Sequence, residues 1–392
     1  MNFASLFSGC GGFDLGFIEG GFSSIAAFDS DGVACENFAE NIGSGIENCN
    51  LLDGIPNLAE LKGIEVLIAG PPCQGFSTAG KRDLHDDRNH LLTHTSRLAL
   101  AIQPKVLVVE NVPGALAGKH SVYWHEMDAM MRGAGYRTHT LMCQTSDLGV
   151  AQMRKRVLFF AWKTSGSTSF DIPKSPINNL RSSIEGVKGL PNHKPRRLAK
   201  GSRDWNIASK INPGQKLSNV RGGENSIAAW DIPEVFGYVT NNEITILELL
   251  RRLRRQDRKR EAGDADPVCY SRLEAALGKH FRRRVESLIE KGYLRRINGG
   301  VDLVGTFNGK YRRLKWDSPS YTVDTRFGSP RYFLHPKYNR GFTVREAARL
   351  QGFRDDYHFL GSERAQYRVI GNAVPPQLGK FAARMATNLL GQ

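Results

Sequence analysis

Val66-Leu67-Ile68-Ala69-Gly70-Pro71-Pro72-Cys73-Gln74-Gly75-Phe76-Ser77 begins with four apolar residues and turns at once into Gly, Pro and Pro. A short apolar run ended in this way reads as a buried strand with a loop at its carboxyl end. The two prolines restrict the backbone and hold Cys73 at the strand exit, on the edge of a site. On its own, a cysteine is more often an inert core residue than a reactive one. What its neighbours in space are therefore decides its reading.

The same pattern recurs outward from that stretch. Short β-branched or aromatic runs occur at Phe3–Phe7, Ile25–Phe28, Val106–Val109 and Val157–Trp162, each closed by Gly, Pro or a polar residue. Between them lie stretches of helix length, such as 91–102, where Leu91, Leu92, Leu98 and Ile102 recur at helical spacing. The alternation predicts an α/β fold, a mixed but mostly parallel sheet with helices on both faces and functional loops at the carboxyl ends of the strands.

Those loops carry the chemistry-bearing residues. The first strand enters Ser8-Gly9-Cys10-Gly11-Gly12-Phe13-Asp14, where glycines let the backbone approach a nucleotide-like ligand. Asp14 stands where the dinucleotide fingerprint has its third glycine, which disfavours a dinucleotide-dependent oxidoreductase. Asp29 closes the second run, where a carboxylate can accept from both ribose hydroxyls, and Asp53 precedes the next strand, placed for an adenine amino group. Either acid alone reads more readily as a surface or cap residue. Glu110 ends the next strand in Glu110-Asn111-Val112-Pro113, and in Gln152-Met153-Arg154-Lys155-Arg156 the two alternating arginines are expected to project to one side.

With 392 residues, two lobes are expected rather than one core. A 40% hydrophobic and 24% charged composition is that of an ordinary globular protein, and no apolar run approaches the ~20 residues of a spanning helix. The N-terminus does not read as a secretory signal, which points to a cytoplasmic, nucleoid-associated protein. Six scattered cysteines without a Cys-x-x-Cys pair indicate neither a disulfide framework nor a zinc site. The net charge of +15 is unevenly placed: residues 1–163 carry −4, 164–340 carry +16 and 341–392 carry +3. The basic excess therefore lies in the middle segment, where phosphate neutralisation favours nucleic acid, although a solvated basic surface has the same composition.

That segment begins irregularly, rich in Ser, Pro, Asn and Gly. Regular structure returns at 243–304, where Ile244, Leu247 and Leu250, then Phe281, Val285, Leu288 and Ile289, mark two helices. A hairpin with an Asn298-Gly299 turn follows. This order resembles a winged helix with Arg282, Arg283 and Arg284 at the start of its recognition helix; the alternative is a helical spacer with a solvated arginine face.

Taken together, the ordered motifs resemble the DNA (cytosine-5)-methyltransferase family, over roughly residues 3–162 and 316–385. They are Phe-x-Gly-x-Gly-Gly at 7–12, Pro-Cys-Gln at 72–74, Glu-Asn-Val at 110–112, Gln-x-Arg-x-Arg at 152–156, Arg345 to Phe353, and Gly371-Asn372-Ala373-Val374-Pro375-Pro376. Asp29 departs from the glutamate common there. The resemblance implies an S-adenosylmethionine-dependent, Rossmann-like catalytic domain at 1–163 completed by a C-terminal segment at 341–392. It places a smaller, irregular target-recognition domain at 164–340, within which the winged-helix-like insert at 243–304 lies beyond the family's usual pattern.

It implies that Cys73 adds to carbon 6 of a cytosine rotated out of double-stranded DNA. Protonated Glu110 would serve N3, with Arg154 and Arg156 at O2, Arg156 foremost. Phe7, Gly9, Gly11, Gly12, Asp29, Asp53, Pro72, Leu91, Asn372 and Val374 would hold S-adenosylmethionine, with no metal, and Ser77–Asn89 would match the loop that closes over the base. A monomeric prokaryotic modification enzyme is expected, with a restriction endonuclease as a genetic rather than physical partner. A transfer-RNA methyltransferase on the same lobe is disfavoured because no Cys-Phe-Thr occurs between 164 and 340. A non-catalytic relative is disfavoured because Cys73 and Glu110 are both present.

Overall fold

The computed structural model describes residues 1–72, 91–118, 121–217, 226–257, 266–304 and 309–391. Its first elements are β1 (Asn2–Leu6), α1 (Gly12–Glu19), β2 (Ser23–Asp29), α2 (Gly32–Asn41), β3 (Ile46–Asn48) and β4 (Val66–Ala69). Next come α3 (Leu91–Ile102), β5 (Val106–Asn111), α4 (Ser121–Gly133), β6 (Arg137–Gln144), β7 (Gln152–Met153), β8 (Lys155–Trp162) and α5 (Leu180–Ile184).

Seven of these strands form one sheet in the order β3-β2-β1-β4-β5-β8-β6. The first five are parallel, and β8 runs antiparallel to both β5 and β6. β4 and β5 are buried along their whole length because helices cover both faces. Their side chains alternate accordingly. Ala4, Leu6, Leu67, Ala69, Leu107 and Val109 pack with Leu92, Leu98, Trp124 and Met127 of α3 and α4. Phe3, Val66, Ile68, Val106 and Val108 pack on the other face with Phe13 and Phe17 of α1. β1 lies between β2 and β4, so the strand order reverses at the loop that leaves β1, the place where open α/β sheets bind ligands.

β3 and β6 were not among the strands expected from sequence. β3 has three residues, and β6 alternates Thr, His, Thr and Met with few consecutive apolar residues because half of it faces away from the core. The α/β class is unaffected by either.

Later in the chain come α6 (Arg203–Lys210), β9 (Lys216–Leu217), β10 (Ser226–Ile227), α7 (Pro233–Phe236) and α8 (Asn241–Gln256). They are followed by β11 (Val268–Cys269), α9 (Tyr270–Leu277), α10 (Arg282–Glu290), β12 (Leu294–Ile297), β13 (Gly300–Leu303) and β14 (Arg312–Arg313). β11, β13 and β12 make a small antiparallel sheet, and with α8, α9 and α10 they enclose a core of Leu247, Leu250, Leu273, Val285, Leu288 and Val301. The chain ends with β15 (Ser320–Tyr321), β16 (Phe333–Leu334), α11 (Val344–Gln351), α12 (Glu363–Asn372) and α13 (Pro376–Leu390).

Two compact units result. One comprises Met1–Lys194, Asp317–Arg326 and Val344–Gln392; the other comprises Pro195–Trp316 and Phe327–Thr343. The sequence reading drew its boundaries at 163 and 340, so 164–194 and 317–326 pack with the sheet rather than with the middle segment. In the first unit α13 lies against α1 at near backbone contact: a Cβ on Gly16 would come within 2.5 Å of the Gly379 Cα. No helix among the described residues is long and apolar enough to cross a membrane.

Candidate active site

The loop after β1 is conformationally demanding. Gly9 and Gly11 adopt φ of 57° and 79°, and Phe7 between strand and loop adopts φ of 55°, a left-handed conformation costly for a residue with a side chain. A Cβ added to Gly9 would meet nothing, so the loop surface there is open. Asp29, at the end of β2, accepts from the Gly9 amide through Oδ2 and from the Asp31 amide through Oδ1, both at 2.8 Å. Each oxygen keeps a further lone pair for an incoming hydroxyl. Burial pushes the Asp29 carboxyl up, against the opposing pull of the Gly9 and Ser30 amides and of Arg368.

The C-terminal segment completes this loop. A Cβ on Gly12 would fall 2.2 Å from the Val374 carbonyl oxygen, and one on Gly70 would be 3.9 Å from Val374 Cγ2, so Val374 is wedged between the exits of β1 and β4. Asn372 is the exposed last residue of α12. Asp53 is exposed in the turn Leu51–Asp53, and His94 of α3 is tied to the Leu51 carbonyl at 2.7 Å, so the helix that Leu91 opens is anchored to the turn bearing Asp53. Leu91 is buried and Pro72 half-buried. Cys73 and the Ser77–Asn89 loop lie outside the described residues.

Glu110 stands one residue beyond the last β4–β5 rung, Ala69 with Val109, and is 8% exposed. Arg156 Nε approaches its Oε1 to 2.7 Å, yet off the donor direction, so Oε1 is an ion-pair partner without an aligned hydrogen bond. Burial pushes the Glu110 carboxyl up, while Arg156 and then Arg154 pull the other way. Asn111, next along, donates to the Pro71 carbonyl at 3.4 Å and ties the end of β5 to the loop that leads into Cys73.

The two arginines part company. Arg154 falls in the break between β7 and β8, so the strand alternation that would align it with Arg156 is interrupted. Its guanidinium is 2% exposed and donates to the carbonyls of Val323, Gly371 and Ala373 at 2.9–3.2 Å. Gln152 adds to this clamp, donating to the Leu350 carbonyl and to Gln351 Oε1 and accepting from the Val323 amide, while Gln351 donates to the Ala373 carbonyl. Arg154 therefore fastens remote chain segments together, while Arg156 forms the ion pair with Glu110.

Two contributors escaped the sequence reading. Tyr357 donates to the Cys10 carbonyl at 2.5 Å, bracing the glycine loop, and Arg368 pairs with Asp31 beside Asp29. Neither belongs to a local pattern; only the fold brings them to the loop. Burial pushes the Cys10 and Cys143 thiols up to about 12, leaving both unreactive near neutral pH. Among the described residues no cluster of His, Cys, Asp and Glu is arranged to hold a metal.

The chain is similar to known proteins. A family model for C-5 cytosine-specific DNA methylase matches residues 1–387. The chain is 30% identical to the Type II methyltransferase M.NgoFVII of Neisseria gonorrhoeae, over 95% of this chain and 83% of the relative. It is 29% identical to the Type II methyltransferase M.DdeI of Desulfomicrobium norvegicum, over 98% and 88% respectively. In fold it resembles the S. pombe Dnmt2 methyltransferase, with a TM-score of 0.56 at 15% identity over 100% of this chain and 98% of that one. A sheet whose order reverses at a glycine loop, a buried glutamate facing an arginine, and this match along nearly the whole sequence lead to one conclusion: the chain belongs to the C-5 cytosine-specific DNA methylase family.

Proposed function

We propose that the chain methylates carbon 5 of a cytosine rotated out of duplex DNA, through a transient bond to Cys73, as the modification enzyme of a restriction-modification system. The observation that carries this reading is Glu110, a buried carboxyl with a raised pKa and an unaligned Oε1, positioned at a strand end beside the Pro71-Pro72 approach to Cys73.

The chemistry requires such a group. Carbon 5 of cytosine is a poor nucleophile until conjugation is broken at carbon 6, and the Cys73 thiolate does this by forming a sulfur–carbon bond. Electrons then move toward N3, where protonated Glu110 donates, while Arg156 beside it supports the charge developing at O2. Loss of the carbon 5 proton after alkylation expels Cys73 and restores the ring. Burial of the target in the base stack requires the nucleotide to rotate out first.

The residues around β1 and β2 fit S-adenosylmethionine. The open glycine loop admits a nucleoside at backbone distance, Asp29 has lone pairs for two ribose hydroxyls, and Val374 closes the wall at Gly12 and Gly70. Phe7, Gly9, Gly11, Pro72, Asp53, Leu91 and Asn372 are assigned to the remainder of that pocket. When bound, S-adenosylmethionine supplies an electrophilic methyl group. Arg154 is assigned to positioning, through the carbonyls it holds.

The second unit, Pro195–Trp316 and Phe327–Thr343, is assigned to target recognition, and the enzyme is taken to act as a cytoplasmic monomer. Bisulfite sequencing of DNA from cells that express the protein is the test. The expected result is 5-methylcytosine at one position of a recurring short sequence; unmodified DNA, or methylation confined to transfer RNA, would contradict it.

A further inference from the structure

Residues 241–304 form a part of the chain that the methyl-transfer step itself does not use. In chain order they run helix, strand, helix, helix, strand, strand, with β13 paired between β11 and β12. α9 and α10 are separated by a short turn that starts at Gly278, whose φ of 72° suits the sharp reversal of a helix-turn-helix. Its core also takes in Ala228, Ala229 and Trp230 from before α8, and α10 commits Val285 and Leu288 to it.

The first turn of α10 is basic, while Glu286, paired with Arg296, and the exposed Glu290 follow further along the helix. Lys279, Arg282, Arg283 and Arg284 are all exposed. Arg282 lies over the Tyr270 ring, 5.7 Å from its centroid, and Arg283 and Arg284 make no ion pair among the described residues. The neighbouring hairpin shows the contrast: Arg295 is bound to Asp302, and Arg296 to Glu286. Hairpin arginines are thus neutralised within the unit, whereas those of α10 are left facing solvent.

Local stability does not explain this placement. The first turn of a helix favours acidic residues, because its free amides carry partial positive charge. α8 follows that rule, with Thr240 and Glu243 forming a reciprocal cap. α10 has no side-chain cap, no acidic residue in its first turn, and three consecutive arginines there.

We propose that 241–304 is a winged-helix module whose α10 face docks on the phosphate backbone of duplex DNA, with Arg283 and Arg284 as its principal contacts. The occupant follows from charge complementarity and from the DNA reading of the function, on which this inference rests. The contacts supply affinity and register; phosphates carry no base identity, so the choice of cytosine is left to other residues.

The test uses the full-length chain and a 30-base-pair mixed-sequence duplex, with binding followed by fluorescence anisotropy across a sodium chloride series. R283Q/R284Q should bind more weakly, with the slope of log affinity against log salt flatter by about 2, since each lost phosphate contact removes about 0.9. R283K/R284K should keep most of the slope, because lysine preserves the charge, and this variant separates docking from folding. R251Q/R252Q removes equal charge from α8 and should change the slope less. The bisulfite pattern should remain that of wild type. An unchanged slope in correctly folded R283Q/R284Q, an equal change in R251Q/R252Q, or an effect on transfer RNA but not on the duplex would overturn the proposal. Should wild-type protein leave cytosine unmethylated while the slope difference persists, the reading of the reaction falls and the docking surface stands.

Discussion

Glu110 in the sheet-built unit and Glu243 in the helical part of the other unit both expose little surface, at 8% and 4%, with Glu110 the deeper of the two. Burial pushes both carboxyls toward the neutral form, but what surrounds them differs. Glu243 accepts from Lys291 through both oxygens, from the Thr240 amide and hydroxyl, and from Ser287, and these partners hold it down at about 2. Among the described residues Glu110 has one ion-pair partner, Arg156, with no aligned hydrogen bond at Oε1, and it remains raised. A saturated carboxylate is a fastening, here between the start of α8 and the end of α10. An unsaturated one retains capacity for a substrate.

Substitution breaks the comparison most sharply at Glu110. Glu110→Gln keeps the shape but cannot deliver a proton, so kcat should fall by about 10²–10⁴-fold while DNA affinity holds, measured by radiolabelled methyl transfer and anisotropy. Wild-type turnover in that variant would put Glu110 among the structural acids. A pH series refines the same point. Because the folded pKa of Glu110 is raised, its protonated form is complete at low pH and is lost as pH rises through that pKa. Methyl transfer should lose the corresponding limb in Glu110→Gln, and an identical alkaline limb in the two proteins would assign it to another group.

Smaller effects are expected where carboxylates bind or fasten. Asp29→Ala removes the acceptor at the end of β2 and should weaken S-adenosylmethionine binding by about 10–100-fold, the range expected for lost hydrogen bonds to a charged group, as read by calorimetry. Glu243→Ala should destabilise the protein by about 1.5–3 kcal/mol in urea unfolding, with kcat per folded molecule unchanged. The sign with pH is opposite to that of Glu110. With its folded pKa depressed to about 2, Glu243 contributes stability above the ordinary glutamate pKa near 4.5, and that contribution is lost as pH falls toward 2. A loss of catalysis rather than stability in Glu243→Ala would erase the distinction between the two acids.

Legibility followed the range of the interactions. β4 and β5 could be read because strands buried on both faces must be continuously apolar, whereas β6 could not, since its outward residues break the run. The glycine loop, Asp29 and Glu110 were legible because each sits at a strand end, a position the local pattern reveals. The division of labour between Arg154 and Arg156 was not. It depends on a break between β7 and β8 and on carbonyls at 323, 371 and 373 that only the folded chain brings near. Tyr357 and Arg368 were hidden for the same reason, reaching the loop from more than 300 residues away in sequence.

The account turns on a covalent bond between Cys73 and a pyrimidine ring. A duplex carrying 5-fluorocytosine at the cytosine identified by bisulfite sequencing, incubated with S-adenosylmethionine and the full-length chain, tests it directly, because fluorine at carbon 5 cannot leave as a proton does. A denaturation-resistant protein–DNA adduct should form, map to Cys73 by peptide mass spectrometry, and be absent from Cys73→Ala. No adduct with methylation-competent wild type, or an adduct that persists in Cys73→Ala, would contradict the mechanism.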